Sequence, residues 1–219
     1  MSDLPPEPDE QATRVSYDRV AGEYAAQFLD ELTHKPLDRE FLTRLAGLTA
    51  GRGRVVDLGC GPGHVARFLH EQGAAACGVD LSGAMVAAAR RAHPGIPFVQ
   101  GTMRALPFAA DSLAGIAAFY SIIHIPAPEI PAALAELYRV TRPGGVLLLA
   151  FHIGDEVIHR DEWWGHPVSL DFALLRPAAI EAALTAAGWA HEMTTERPPY
   201  AGAEYPSRRA YVWARKPAA

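Results

Sequence analysis

The sequence predicts an α/β fold in which helices cover both faces of a mainly parallel, seven-stranded sheet. An antiparallel strand lies at one edge of that sheet, and a helical cap forms the N-terminal part. Two observations predict this fold. From residue 54 onwards, short apolar runs alternate with amphipathic stretches, as in parallel sheets joined by crossover helices. Several runs, such as residues 146–151, are almost wholly apolar, which is typical of strands covered on both faces.

Apolar periodicity and turn residues define the individual elements. Residues 14–48 carry apolar side chains at helical spacing and predict two or three helices, broken at residues 34–36, within a cap over residues 1–49. In the central part, 54–151, the predicted strands are 54–58, 75–80, 97–100, 113–119 and 145–151, and the predicted helices are 64–72, 83–92 and 129–140.

The final third departs from this alternation. Residues 152–171 show little periodicity and predict an irregular loop beside the active site. Within 172–219, residues 177–187 predict a helix, and 189–195 and 209–215 predict an antiparallel strand pair separated by a proline-rich loop. We expect all of these parts to form one domain.

Composition and charge restrict the class of protein. The chain is 49% hydrophobic and 21% charged, which supports a globular core, and its net charge of −5 with scattered Lys and Arg predicts no nucleic-acid partner. Residues 1–10 lack the pattern of a signal peptide, and no apolar run reaches the ~18 residues that span a bilayer. Cys60 and Cys77 predict no disulfide framework, so we expect a cytoplasmic protein. The nine histidines lack metal-ligand spacing, which predicts no metal site.

A glycine-rich turn follows the first predicted strand. Asp57, Gly59, Gly61 and Gly63 give an acid followed by G-x-G-x-G, whereas dinucleotide-binding loops read G-x-G-x-x-G. The Asp57 carboxylate can order backbone amides of the loop or reach an ammonium group, so this turn suits a cationic amino-acid group better than a pyrophosphate. Asp80 ends the next strand about 20 residues later, where a carboxylate can accept from the two hydroxyls of a ribose.

These motifs resemble those of class I S-adenosylmethionine-dependent methyltransferases, which have a Rossmann-like fold. Residues 57–63 resemble the first motif of the family, Asp80 its ribose-binding acid, 101–108 the segment bordering adenine, and 142–147 the turn into the fifth strand. The resemblance extends over residues 15–151. It implies an enzyme that moves a methyl group from S-adenosylmethionine to a small-molecule acceptor by in-line displacement, leaving S-adenosylhomocysteine.

The resemblance also implies which residues bind the cofactor. Residues 17–24 resemble a Y-D-x-x-A-x-x-Y pattern that folds over it, although Tyr24 is equally consistent with a core aromatic. Thr102 stands where the family often has Asp, so we expect the backbone around Met103 to carry more of the adenine recognition. The expected cofactor-binding residues are Tyr17, Tyr24, Asp57, Gly59, Gly61, Asp80, Leu81, Thr102, Met103, Phe119 and Tyr120.

The acceptor side is indicated by histidines and tryptophans. His124 and His152 follow the fourth and fifth strands and are candidate general bases, although His124 is equally consistent with a structural role. Trp163 and Trp164 are expected to bind an aromatic or apolar acceptor, or else to pack under the loop. We expect all four side chains to line one cavity with the methyl group at its floor.

Two other functions remain open at this stage. A nicotinamide-dependent oxidoreductase shares the sheet and the ribose-binding acid, and a non-catalytic S-adenosylmethionine-binding protein shares the entire fold. A macromolecular acceptor is disfavoured by the lack of a basic surface. Oxygen, nitrogen, carbon and sulfur acceptors all fit the residues, as does any oligomeric state.

Overall fold

A computed structural model describes residues 10–218 of the chain, so the expectation that residues 1–10 form no signal peptide falls almost wholly outside the described residues. The first helices are α1 (Glu10–Phe28) and α2 (Pro36–Thr49), with a 3-10 helix, Glu31–His34, between them. The predicted helical cap and its break are therefore confirmed. Pro36 begins α2 because its fixed φ suits the first turn and its missing N–H is not needed there.

The central part alternates strands and helices as predicted, with boundaries displaced by a few residues at most. Its elements are β1 (Arg54–Leu58), α3 (His64–Glu71), β2 (Ala75–Asp80), α4 (Gly83–Ala92), β3 (Phe98–Gln100), β4 (Leu113–Phe119), α5 (Ile130–Val140) and β5 (Thr141–His152). Two 3-10 turns, Ile122–His124 and Ala127–Glu129, precede α5.

The segment predicted as an irregular loop, 152–171, is mostly a β-hairpin, so that expectation is wrong. Its strands are β6 (Val157–Trp163) and β7 (His166–Ala173), which pair antiparallel in a separate two-stranded sheet. Trp164 and Gly165 form the turn with φ of 51° and 78°, the positive values that a type I′ hairpin turn requires. The polar, exposed strand β6 gave no apolar alternation to reveal the hairpin.

The last elements are α6 (Pro177–Ala186), β8 (Ala190–Arg197) and β9 (Arg209–Arg215). The main sheet has seven strands in the order β3-β2-β1-β4-β5-β9-β8, with β1 to β5 parallel and β9 antiparallel to both of its neighbours. The predicted antiparallel pair is confirmed, but the reversed strand, β9, lies one place inside the edge. Its apolar residues need cover on both sides, whereas the polar β8 tolerates the edge.

Apolar cores lie on both faces of the sheet and confirm the predicted layers. Side chains of α5 and α6 pack on one face, and those of α2 and α3 pack on the other. The carboxyl ends of the parallel strands meet at one rim, which α1 and the β6–β7 hairpin cover; Val20 of α1 packs on Val168 and Leu170 of the hairpin. Within residues 10–218, no helix has the length and apolarity to cross a membrane.

Candidate active site

Two adjoining cavities lie at the carboxyl ends of the parallel strands. The first, of about 110 Å³, extends past the end of β2 to residues 101–104. The second, of about 230 Å³, extends to the end of β5 and the start of β9. The side chains or backbone that line both cavities, and so define their junction, belong to Tyr17, Tyr24, Gly59, Gly61, Phe119 and Tyr120.

The turn after β1 needs its glycines for two different reasons. A Cβ atom on Gly59 would lie 2.3 Å from the Cβ of Ser121, whose hydroxyl donates to the Leu58 carbonyl at 2.7 Å. Gly61 has a φ of 51° and lies under the Tyr24 ring, which a Cβ atom would meet at 3.5 Å. The turn can therefore approach a ligand with bare backbone.

Asp57, near the end of β1, holds the start of the helix that follows the same turn. Its Oδ2 accepts a hydrogen bond from the Ala66 amide at 2.9 Å, in the first turn of α3. Burial raises the pKa of Asp57 to about 7. Asp57 also lines the second cavity, so the two roles considered from the sequence, ordering amides and reaching a ligand, are compatible in this geometry.

Asp80 lies in the first cavity beside the glycine turn. Its Oδ2 accepts from the Gly61 amide at 2.7 Å and its Oδ1 from the Ser82 amide at 2.8 Å. Each carboxylate oxygen has a second lone pair, so Asp80 can still accept from two ligand hydroxyls. Burial raises the pKa of Asp80 to about 6.

The expected adenine-binding residues also line the first cavity. Leu81, Thr102 and Met103 all contribute to its wall. The Thr102 hydroxyl donates to Glu10 at 3.0 Å and accepts from the Arg104 amide at 3.2 Å. Because that hydroxyl fastens the start of α1, the backbone near Met103 is the freer group for a ligand, as expected.

Asp18 anchors α1 over this rim, a role that the sequence pattern did not reveal. Its Oδ1 accepts from the Ser82 hydroxyl at 2.6 Å and from the Ala84 amide at 3.1 Å, at the N-terminus of α4. Farther along the contact with the hairpin, the Ser16 hydroxyl exchanges hydrogen bonds with the Ser169 backbone. These anchors hold Tyr17 and Tyr24 at the junction of the cavities.

His124 is engaged through both ring nitrogens. Its Nδ1 lies 2.8 Å from the Asp171 carbonyl oxygen, which can only accept, so Nδ1 carries the proton and Nε2 accepts from the Tyr17 hydroxyl at 2.8 Å. Burial lowers the pKa of His124 to about 4. Tyr17 lines both cavities, whereas His124 lines only the first.

His152 lies in the second cavity instead. Its Nδ1 is 2.7 Å from the Ser207 hydroxyl, and its ring centre is 5.0 Å from that of Tyr120. Burial, reinforced by the charges of Arg209 and Lys35, lowers the pKa of His152 to about 4. Both candidate bases are therefore neutral at neutral pH.

The four expected acceptor-side residues do not line one cavity. His124 lines the first cavity, whereas His152 and Trp163 line the second. Trp164 lies outside, 37% exposed, and stacks on Trp163 with ring centres 4.5 Å apart.

Charged residues of the second cavity were missed in the sequence. Glu31 lies 2.8 Å from the Nε2 of His64 and 2.6 Å from the Nζ of Lys35. Although burial opposes it, these two partners lower the pKa of Glu31 to about 2. Across the cavity, Arg209 pairs with Glu204 at 3.2 Å. Only the Glu31–Lys35 spacing could have been noticed, since the other partners come from distant segments.

Comparisons with known proteins decide the family. Residues 55–145 match the family model described as "Methyltransferase domain". Malonyl-[acyl-carrier protein] O-methyltransferase of Serratia marcescens is 33% identical over 144 residues, which cover 65% of this chain and 53% of the relative. Demethylmenaquinone methyltransferase of Renibacterium salmoninarum is 31% identical over 150 residues, which cover 63% of this chain and 62% of the relative. This chain belongs to the class I S-adenosylmethionine-dependent methyltransferase family.

The chain spans 53% of the length of the Serratia relative. Its fold matches that of the [4+2]-cyclase SpnF with a TM-score of 0.74 at 18% identity, covering 100% of both chains. Since a protein named as a cyclase shares the methyltransferase fold, the fold by itself does not establish methyl transfer. Within the described residues, no group of three or more His, Cys, Asp or Glu side chains could hold a metal ion.

Proposed function

We propose that the chain transfers the methyl group of S-adenosylmethionine to a small-molecule acceptor at the junction of the two cavities. The observation that carries the proposal is the Asp80 carboxylate, held by two backbone amides beside the glycine turn with spare lone pairs at the first cavity. The cofactor supplies a methyl group already activated by a sulfonium. The protein has chiefly to hold the acceptor in line with it.

The residues present suit the two halves of the cofactor. Asp80 would accept from the ribose hydroxyls, and Leu81 and Met103 would border the adenine. Gly59 and Gly61 would let the amino-acid half pass close to the backbone beneath Tyr24. A sulfonium between these halves would lie at the junction, where Tyr17, Phe119 and Tyr120 meet.

The second cavity is the proposed acceptor site. Its aromatic and apolar wall, including Trp163, Phe172 and Leu174, suits a small molecule with an apolar body. The names of the relatives, which specify a malonyl group on an acyl-carrier protein and demethylmenaquinone, support an acceptor that is a small organic group. In this proposal His152 meets the acceptor directly and His124 acts through Tyr17.

A cytoplasmic location, a single domain and the absence of a nucleic-acid partner belong to the same proposal. Both cysteines are buried free thiols, in keeping with a reducing compartment. The modest net charge of −5 and the scattered basic residues favour a small acceptor over a nucleic acid.

Calorimetry with S-adenosylhomocysteine and with NADH tests the cofactor. We expect micromolar affinity for S-adenosylhomocysteine, about −8 kcal/mol, and none for NADH. Incubation with S-adenosylmethionine and a panel of small acceptors, followed by mass spectrometry, tests the transfer. Release of S-adenosylhomocysteine only when an acceptor is present supports the proposal; tight cofactor binding without release under any acceptor would leave a non-catalytic binding protein.

A further inference from the structure

Given the proposed methyl transfer, on which this inference rests, we propose that the acceptor is an amphipathic carboxylic acid whose carboxylate is the methylated group. Arg209, Lys35 and His152 bind that carboxylate in the second cavity, and the apolar wall receives the rest of the molecule. The product is a methyl ester.

Arg209 is the main reason. It is only 2% exposed, yet it lines the second cavity. Among residues 10–218, its hydrogen bonds run from Nη1 to the carbonyls of Tyr205 and Ser207, and its Nε forms an ion pair with Glu204 at 3.2 Å, without the alignment of a hydrogen bond. A guanidinium has five N–H donors in a planar fork, so Arg209 keeps donors for an anionic oxygen. The Nη2 group makes no hydrogen bond among the described residues, so it is the part of the guanidinium that remains for a ligand.

Lys35 and His152 bring this binding site to the junction. Both groups lie near the ring of Tyr120. The Lys35 ammonium is 5.2 Å from the centre of that ring, and the centre of the His152 ring is 5.0 Å from it. Because Tyr120 lines both cavities, a carboxylate touching these two groups lies on the side of the second cavity that adjoins the proposed sulfonium position. Lys35 uses one hydrogen bond for Glu31 and has two further N–H donors.

The acidic neighbours do not exclude an anion. Glu204 is held by Arg197 at 2.6 and 2.9 Å and by the Tyr200 amide at 2.7 Å, so the charge of Glu204 is shared between Arg197 and Arg209, which lies 3.2 Å from it. Glu31 is similarly held by His64 and Lys35. The cluster is thus balanced in charge but has spare donors, and a carboxylate offers the complementary acceptors.

The chemistry of the two histidines agrees with this assignment. A hydroxyl or an ammonium acceptor must lose a proton during the transfer and benefits from a base. Here the Nε2 of His124 already accepts from Tyr17, and both histidines have a pKa of about 4, which makes them weak bases. A carboxylic acid is already ionised at neutral pH and needs no base.

The proposed step therefore moves no proton. A carboxylate oxygen uses a lone pair to form the bond to the methyl carbon, while the carbon–sulfur bond breaks and its electron pair stays on sulfur. The sulfonium becomes a neutral thioether and the carboxylate becomes a neutral ester. Loss of the negative charge removes the attraction to Arg209 and Lys35, which assists release of the ester.

Octanoate, octanamide and octanol are suitable probes because they share an apolar chain and differ in the headgroup. In calorimetry on the wild-type protein loaded with S-adenosylhomocysteine, we expect octanoate to bind at least about tenfold more tightly than octanamide or octanol, since charge-assisted hydrogen bonds are lost with the neutral headgroups. With S-adenosylmethionine, mass spectrometry should detect methyl octanoate.

The variants Arg209→Gln and Arg208→Gln provide a matched pair. Arg208 is the neighbouring residue, with a side chain 64% exposed, and pairs only with Glu196 at the surface. We expect Arg209→Gln to lose about tenfold of the octanoate affinity with octanamide affinity unchanged, and Arg208→Gln to keep both. The wild-type comparison of headgroups needs no variant and stands even if Arg209→Gln does not fold.

Equal binding of octanoate and octanamide by the wild-type protein overturns the carboxylate inference. If S-adenosylhomocysteine binds and a hydroxyl or amine acceptor is methylated instead, the inference fails while the proposed function stands. If S-adenosylhomocysteine itself does not bind the folded chain, the proposed function fails first.

Discussion

The Asp80 side chain holds the loop and, in the proposed function, also binds the ribose, so its ionisation affects both. Burial raises the pKa of this carboxyl to about 6, while the amides of Ser82 and Gly61 work against the rise. Ribose hydroxyls donate to the ionised form, so ligand binding lowers this pKa. Affinity is therefore complete above about pH 6 and is lost as the pH falls below it.

Replacing Asp80 with Ala should weaken binding of S-adenosylhomocysteine by ~1.5–3 kcal/mol, the range for hydrogen bonds to charged groups. In calorimetry, the wild-type affinity should fall between about pH 7 and about pH 5, whereas Asp80→Asn should bind weakly with little dependence on pH. Asp30→Asn is the control, because the side chain of Asp30 is 79% exposed. Wild-type affinity in Asp80→Ala would mean that the ribose binds elsewhere.

The proposed cofactor side could be assembled from the sequence because its residues have fixed local spacing. Asp57, Gly61 and Asp80 each end a strand or begin a turn, and the sheet then brings them to one rim. The acceptor side could not be read in the same way. The hydrogen bond between Tyr17 and His124 joins residues 107 positions apart, and no local sequence pattern predicts it.

At the scale of elements, α1 and the β6–β7 hairpin form one cover. Asp18 ties α1 to the N-terminus of α4, and Ser16 ties it to the backbone of β7. The sequence did contain a sign of β7, since Val168, Leu170 and Phe172 alternate with polar residues. The hairpin was nevertheless missed, because Trp164 replaces the usual Asn or Asp of its turn.

Asp18→Ala should loosen this cover. The variant loses an acceptor for the first-turn groups of α4, a capping interaction of ~1 kcal/mol. We expect S-adenosylhomocysteine to bind about fivefold more weakly, which is the same free energy expressed as affinity. Hydrogen exchange should become faster in α1 and β7.

Asp18→Asn is the matched control, because its side-chain oxygen can still accept from Ser82 and Ala84. It should retain most of the affinity and of the exchange protection. Unchanged exchange in α1 of Asp18→Ala would show that the apolar contacts of Val20 suffice to hold the cover.

At the scale of the whole molecule, a buried ionic network joins the N-terminal helices to the last strands. Arg197 of β8 donates to Asp38 of α2 at 3.1 Å and to Glu204 at 2.6 Å. Tyr211 of β9 donates to the same Asp38 at 2.5 Å. Arg197 and Asp38 are 8% and 1% exposed, and they lie 159 positions apart in the chain. The strands themselves could be predicted from apolar patterns, but this pairing could not.

Arg197→Met should therefore destabilise the whole fold. It removes one side of a buried network and leaves Asp38 and Glu204 without their main cation, which costs ~3–5 kcal/mol of the free energy of unfolding. Denaturant unfolding followed by circular dichroism measures the change. Arg208→Met removes an exposed pair with Glu196 and should cost less than ~1 kcal/mol. Equal losses in the two variants would mean that Arg197 contributes no more than a surface ion pair, and that apolar packing alone joins the cap to β8 and β9.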